Sequence, residues 1–122
     1  MVLVDTSVWI DHLRRADPEL VRLLNAGRVL CHSLIVGEIA MGNLKARPFV
    51  LGDLHCLPRA LEATHQEALV FLTHRKLFGL GLGYIDVCLL ASVQLTPSAR
   101  LWTRDKRLLK VAESLGLAHA AL

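Results

Sequence analysis

Four carboxylates stand in apolar stretches of this sequence, and their order and surroundings suit metal-assisted chemistry on phosphate. Asp5 ends the run Met1-Val2-Leu3-Val4. Glu38 is the single charge between His32 and Lys45. Asp86 sits in Gly83-Tyr84-Ile85-Asp86-Val87-Cys88-Leu89-Leu90, and Asp105 follows Leu101-Trp102-Thr103-Arg104. A buried acid is costly unless something compensates it, and no basic residue is an obvious local partner of the first three. A shared Mg²⁺ or Mn²⁺ ion would compensate them through oxygen ligation. The same ion can activate water and stabilise a leaving oxygen, so the expected reaction is phosphodiester hydrolysis. Each acid also has a plainer reading. Asp5 and Asp105 suit helix N-caps, and Glu38 and Asp86 suit buried pairs with Arg or His. The four together favour the metal reading over any of these alone.

The acids need elements that bring them together. Residues 1–5 read as a short buried strand, because Val2, Leu3 and Val4 do not alternate with polar residues. Thr6 and Ser7 open a helix carrying Trp9, Ile10 and Leu13, and Asp17-Pro18 opens a second that Gly27 closes. Val29-Leu30-Cys31 reads as a strand, and 34–44 as a largely buried helix. Pro48, Gly52 and Pro58 break the next stretch into a short helix plus loop or strand. The capping box Thr64-His65-Gln66-Glu67 opens a helix running to Phe78 and closed by Gly79. A further helix covers about Tyr84 to Leu95, Leu101–Thr103 is a strand, and Thr103 or Asp105 caps a last helix ended by Gly116. Leu117–Ala120 is read as a final edge strand. This alternation predicts an α/β fold with a mainly parallel sheet, formed by one domain over residues 1–122. Ligands of such sheets bind beyond the carboxyl ends of the strands, where Asp5 and Asp105 fall. On helices, Glu38 shares a face with Leu34, Ile35 and Met41, and Asp86 with Leu89, Leu90 and Val93. Thr6 and Thr103 adjoin acids, so their hydroxyls could orient a carboxylate or a metal-bound water; capping or strand propensity accounts for them equally well.

Composition narrows the classes further. The chain has 122 residues, 53% of them hydrophobic, with a mean hydropathy of +0.44. That surplus of apolar surface could feed a subunit interface. No apolar run reaches the ~18 residues of a membrane span, and the N-terminus lacks the basic region of a signal peptide, so the expected compartment is the cytoplasm. Cys31, Cys56 and Cys88 have neither zinc nor disulfide spacing and read as buried hydrophobes. The formal charge is +3, and setting the four acids aside leaves 14 basic against seven acidic residues. An acidic pit in a basic surface suits a polyanionic substrate. Ten Lys and Arg residues, Arg14, Arg104 and Arg107 among them, are candidates to follow an RNA backbone, and the sequence does not rank them. Trp9 and Trp102 read as core or interface residues.

Taken together, Asp5-Thr6-Ser7-Val8-Trp9-Ile10, Val36-Gly37-Glu38-Ile39, Gly83-Tyr84-Ile85-Asp86 with Leu89-Leu90-Ala91-Ser92, and Leu101-Trp102-Thr103-Arg104-Asp105-Lys106-Arg107-Leu108 resemble the PIN-domain family, and more closely its VapC-type toxins. The resemblance spans essentially the whole chain. It implies an α/β/α sandwich and a Mg²⁺- or Mn²⁺-dependent endoribonuclease. It implies that Asp5, Glu38, Asp86 and Asp105 form the active site, with Asp5 and Asp86 as the usual metal ligands. It further implies a homodimer and a small cognate antitoxin that binds the toxin and can place a basic side chain in the acidic pocket. Cys88 departs from the pattern, since relatives often carry a polar residue or His there.

Three other functions compete. A receiver-type signalling domain would carry a phosphoacceptor Asp after a central strand, with an acid partner that Asp5 lacks in sequence. A PIN-like RNA-binding module without catalysis would not need the complete set of acids. A dehalogenase-like phosphatase would want a second Asp two residues after Asp5, where Ser7 stands.

Overall fold

A computed structural model of the chain describes residues 1–120; the last two residues of the expected 1–122 domain lie outside the described part. Three parallel strands form the centre: β1 (Val2–Val4), β2 (Val29–Leu30) and β3 (Arg100–Trp102), in the order β2-β1-β3. Val2 lies opposite Val29 on one side and Arg100 on the other, and Val4 opposite Trp102. β1 is buried along its whole length, which is why it reads as an uninterrupted apolar run. Both edges are extended by one parallel bridge each, Cys31 to Arg59 and Leu101 to Ala118. The expected final strand over 117–120 is therefore a single bridge, held by Leu101 N–H to the Leu117 carbonyl and His119 N–H to the Leu101 carbonyl.

Among the described residues, seven helices flank this sheet, giving the α/β/α architecture: α1 (Thr6–Arg14), α2 (Pro18–Asn25), α3 (Ser33–Ala40), α4 (Arg47–His55), α5 (His65–His74), α6 (Tyr84–Leu95) and α7 (Lys106–Ser114). The caps follow the sequence logic. Asp17 accepts from the Glu19 and Leu20 N–H groups, and Thr64 with Glu67 completes its capping box. Two helices end sooner than expected. α3 stops at Ala40, and Met41 beyond it is 89% exposed, so the buried part is limited to Ile35, Val36 and Ile39. α5 stops at His74 because Lys76 turns left-handed at φ 56° and lets Leu77 fold back, its N–H reaching the Leu72 carbonyl. Leu77 is buried, so burial of this side chain rather than Gly79 sets the end of the helix. The cysteine expectation holds for Cys31 and Cys88 but not for Cys56, which is exposed on the turn after α4. Trp9 and Trp102 belong to the core. No helix among the described residues is long and apolar enough to cross a membrane.

Candidate active site

The acidic site forms where β1 and β3 end side by side. Asp5 follows β1 directly, and its N–H donates to the Trp102 carbonyl at 2.9 Å, which ties the two strand ends together. Asp5 occupies the N-cap position of α1, yet its carboxylate makes no capping hydrogen bond. Its Oδ2 instead accepts from the Thr103 hydroxyl at 2.7 Å and the Ser7 hydroxyl at 2.8 Å. The capping explanation thus fails for Asp5. Thr103 is 3% exposed, and its Oγ1 also accepts the Asp105 N–H at 3.1 Å. One hydroxyl therefore links Asp5 to the backbone of Asp105.

Glu38 reaches the site from the last turns of α3. The Thr6 hydroxyl donates to its Oε1 at 2.7 Å, so the residue after Asp5 holds the second acid. Asp86 lies in the first turn of α6 and accepts the Gly83 N–H on Oδ2 at 3.3 Å. Burial pushes its carboxyl above the ordinary value, and the charges of Asp5, Asp105 and Glu38 push it further. The Gly83 N–H opposes this without cancelling it. All four acids therefore share one electrostatic environment.

The acids are not equally buried. Asp5 is 6% exposed, Glu38 and Asp86 are half-buried, and Asp105 is exposed. The expectation that all four are buried is corrected for Asp105, which stands at the open mouth of the cleft. It is also the N-cap of α7, its Oδ1 accepting the Leu108 N–H at 2.9 Å.

Each carboxylate is held through one oxygen. Among the described residues, Asp5 Oδ1, Glu38 Oε2, Asp86 Oδ1 and Asp105 Oδ2 accept no hydrogen bond, and no basic side chain pairs with any of the four. Among the described residues, no group of three or more His, Cys, Asp or Glu is placed so that all of them could hold one metal ion. The donor set nonetheless fits a hard divalent cation. Mg²⁺ keeps several waters and is commonly held by one or two carboxylates, and free carboxylate oxygens without a counter-charge are such ligands.

Two supports escaped the sequence reading. Ser7 looked like a helix cap, but it braces Asp5 and accepts the Arg104 N–H at 3.0 Å. The second is a buried lock between the helices that carry Glu38 and Asp86. His32 caps α3 by accepting the Leu34 N–H on Nδ1 at 3.1 Å, so Nε2 carries the proton and donates to the Ser92 hydroxyl of α6 at 3.0 Å. Ser92 also donates to the Cys88 carbonyl and accepts from the Ala63 N–H. Burial lowers the His32 pKa, in keeping with a neutral ring. A polar pair spaced six residues before Glu38 and six after Asp86 was the available signal.

The model of the PIN domain matches residues 2–114. The chain belongs to the PIN-domain family. Two relatives, both named Ribonuclease VapC32, from Mycobacterium tuberculosis strains CDC 1551 / Oshkosh and ATCC 25618 / H37Rv, are each 49% identical over 120 residues, covering 98% of this chain and 97% of theirs. The resemblance to VapC-type PIN domains is borne out at that level, and neither a receiver domain nor a non-catalytic module is favoured by it.

Proposed function

We propose that this PIN domain is a Mg²⁺- or Mn²⁺-dependent endoribonuclease acting as the toxin of a type II toxin–antitoxin pair in the cytoplasm. What supports the reading is the set of four carboxylates, Asp5 and Asp105 beyond β1 and β3 and Glu38 and Asp86 on α3 and α6, each held through one oxygen and none paired with a basic side chain. The name of the relatives, Ribonuclease VapC32, supports RNA as substrate. Asp5 and Asp86 are the residues that would hold the ion, with Glu38 and Asp105 beside them. When bound, the ion supplies Lewis-acid activation of water and offsets charge on the phosphodiester. Thr103 and Ser7 keep Asp5 from rotating, and Thr6 does the same for Glu38, so their free oxygens are preorganised. Glu38, held by Thr6, and Asp105, at the open mouth of the cleft, would complete the acidic set around the ion.

A small antitoxin and a second copy of the chain are the proposed protein partners. Met41, Phe49 and Val70 are exposed apolar side chains that a second copy would cover.

The test is RNA cleavage by purified protein, with and without metal. Asp5→Ala and Asp86→Ala are expected to abolish cleavage and growth arrest, and excess EDTA to stop the wild type. Full cleavage by either variant, or undiminished cleavage in EDTA, overturns the mechanism. Growth arrest relieved by co-expression of the protein encoded just upstream would support the antitoxin.

A further inference from the structure

Arg107 lies in the first turn of α7, two residues beyond Asp105. Across from it, the loop between α5 and α6 passes through Gly81 at φ +78°. A Cβ placed on Gly81 would lie 2.7 Å from Arg107 Nη1 and 3.2 Å from its Cζ. The guanidinium therefore packs against the Gly81 backbone, and a side chain at this positive-φ position would have to push it aside. The loop is itself anchored to the acidic site, because the Gly83 N–H donates to Asp86. Asp105 on one flank and the Asp86 anchor on the other put Arg107 at the rim of the cleft.

Among the described residues, Arg107 has no carboxylate within salt-bridge distance and no side-chain hydrogen bond. Arg104, three residues earlier, shows the contrast. Its guanidinium donates to Asp11 at 2.7 Å and Asp17 at 2.5 Å and lies 5.6 Å from the Trp102 ring centre. Arg104 braces α1 and α2, whereas Arg107 keeps its donors for something outside the chain. A guanidinium offers a planar fork that matches phosphate oxygens. Four acids repel a polyanion, so a cation that stands at their rim without neutralising them is where the strand can be held. Exposed Phe78 lies within the same loop, and Tyr84, half-exposed and packed edge-on against His65, follows it at the start of α6. Aromatic faces of this kind take unstacked bases, which favours a nucleic-acid phosphate over a free anion.

We propose that Arg107, seated on the Gly81 backbone at the rim of the acidic cleft, binds a phosphate of the RNA strand beside the bond being cut. This rests on the ribonuclease reading of the same site.

The probe is a short fluorescein-labelled single-stranded RNA of mixed sequence, titrated in EDTA at several salt concentrations. Arg107→Gln is expected to weaken binding several-fold at low salt and to reduce the slope of log K against log salt by about 0.7. Arg107→Lys should keep the slope with lower affinity. Arg104→Ala, which removes an already paired guanidinium, should leave the slope as it is. An unchanged slope in Arg107→Gln, with the wild-type unfolding midpoint, overturns the proposal. Binding is read without metal or cleavage, so the two readings fail separately. A wild type that never cleaves RNA removes the ribonuclease reading, whereas intact cleavage with an unaltered slope removes only the role of Arg107.

Discussion

Replacing Thr103 by Val tests whether the hydroxyl at the end of β3 organises the site. Val matches Thr in shape and suits a strand end, so backbone propensity changes little. What disappears is a 2.7 Å hydrogen bond to Asp5 Oδ2 and the acceptor of the Asp105 N–H. A hydrogen bond to a charged group contributes about 1.5–3 kcal/mol. The lower end applies here, because the Ser7 hydroxyl still serves Asp5 at 2.8 Å. The Asp105 N–H adds up to about 1 kcal/mol, reduced by water at this exposed residue. The expected loss is about 1.5–2.5 kcal/mol, which for a domain of this length lowers Tm by about 5–12 °C. Asp5 should also lose its fixed orientation, with cleavage falling about 10–100-fold at saturating metal. Thr103→Ser keeps the hydroxyl and removes one methyl, so it should cost about 0.8 kcal/mol and spare most of the activity. Urea unfolding in EDTA and a cleavage time course measure the two effects. Val within about 0.5 kcal/mol of wild type, with unaltered cleavage, would refute the reasoning.

Three further outcomes follow from the same geometry. Asp86 has its folded pKa raised above 3.8, so its ionisation opposes folding. Asp86→Asn should therefore stabilise the metal-free protein near neutral pH, by an amount that shrinks as pH falls towards the ordinary carboxylate value; unfolding curves across pH check the sign. Ser92→Ala leaves the Ala63 N–H and the His32 ring N–H without their acceptor, at about 2–4 kcal/mol in chemical unfolding. Asp105→Asn keeps an equally good N-cap for α7, so stability should move by less than about 0.5 kcal/mol, and a fall in cleavage would report chemistry rather than capping.

The sequence pattern was readable wherever one segment decides the outcome. The unbroken apolar run at Val2–Val4, the capping box at Thr64 and the Asp17-Pro18 helix start all depend on near neighbours, and all appear as expected. The four acids stood out because each interrupts an apolar stretch. The failures have a common cause in tertiary contacts. Asp5 has every local qualification for a cap, and only the strand carrying Thr103, nearly a hundred residues away, turns its carboxylate elsewhere. α5 ends early because a core position captures Leu77. The basic residues could not be ranked because pairing decides their role, and Arg104 and Arg107 differ only in what the fold places opposite them.

The hydrogen bonds also grade the acids by rigidity. Asp5 is buried and held by two hydroxyls, one from α1 and one from beyond β3, so any movement of it must disturb both strand ends. Glu38 and Asp86 are each held by a single donor, but the His32–Ser92 bond joins the helices that carry them. The Asp105 carboxylate is held by its own helix alone and faces solvent, although its N–H reaches Thr103. Rigidity thus falls from the sheet outwards, while exposure to an arriving strand rises. A site built this way fixes the carboxylates nearest the core and leaves the rim, where Asp105 and Arg107 share one helical turn, to adjust to the substrate. That division follows from placing the acids beyond the carboxyl ends of a buried parallel sheet, where Asp5 is tied to both strand ends and the Asp105 carboxylate only to the helix it opens.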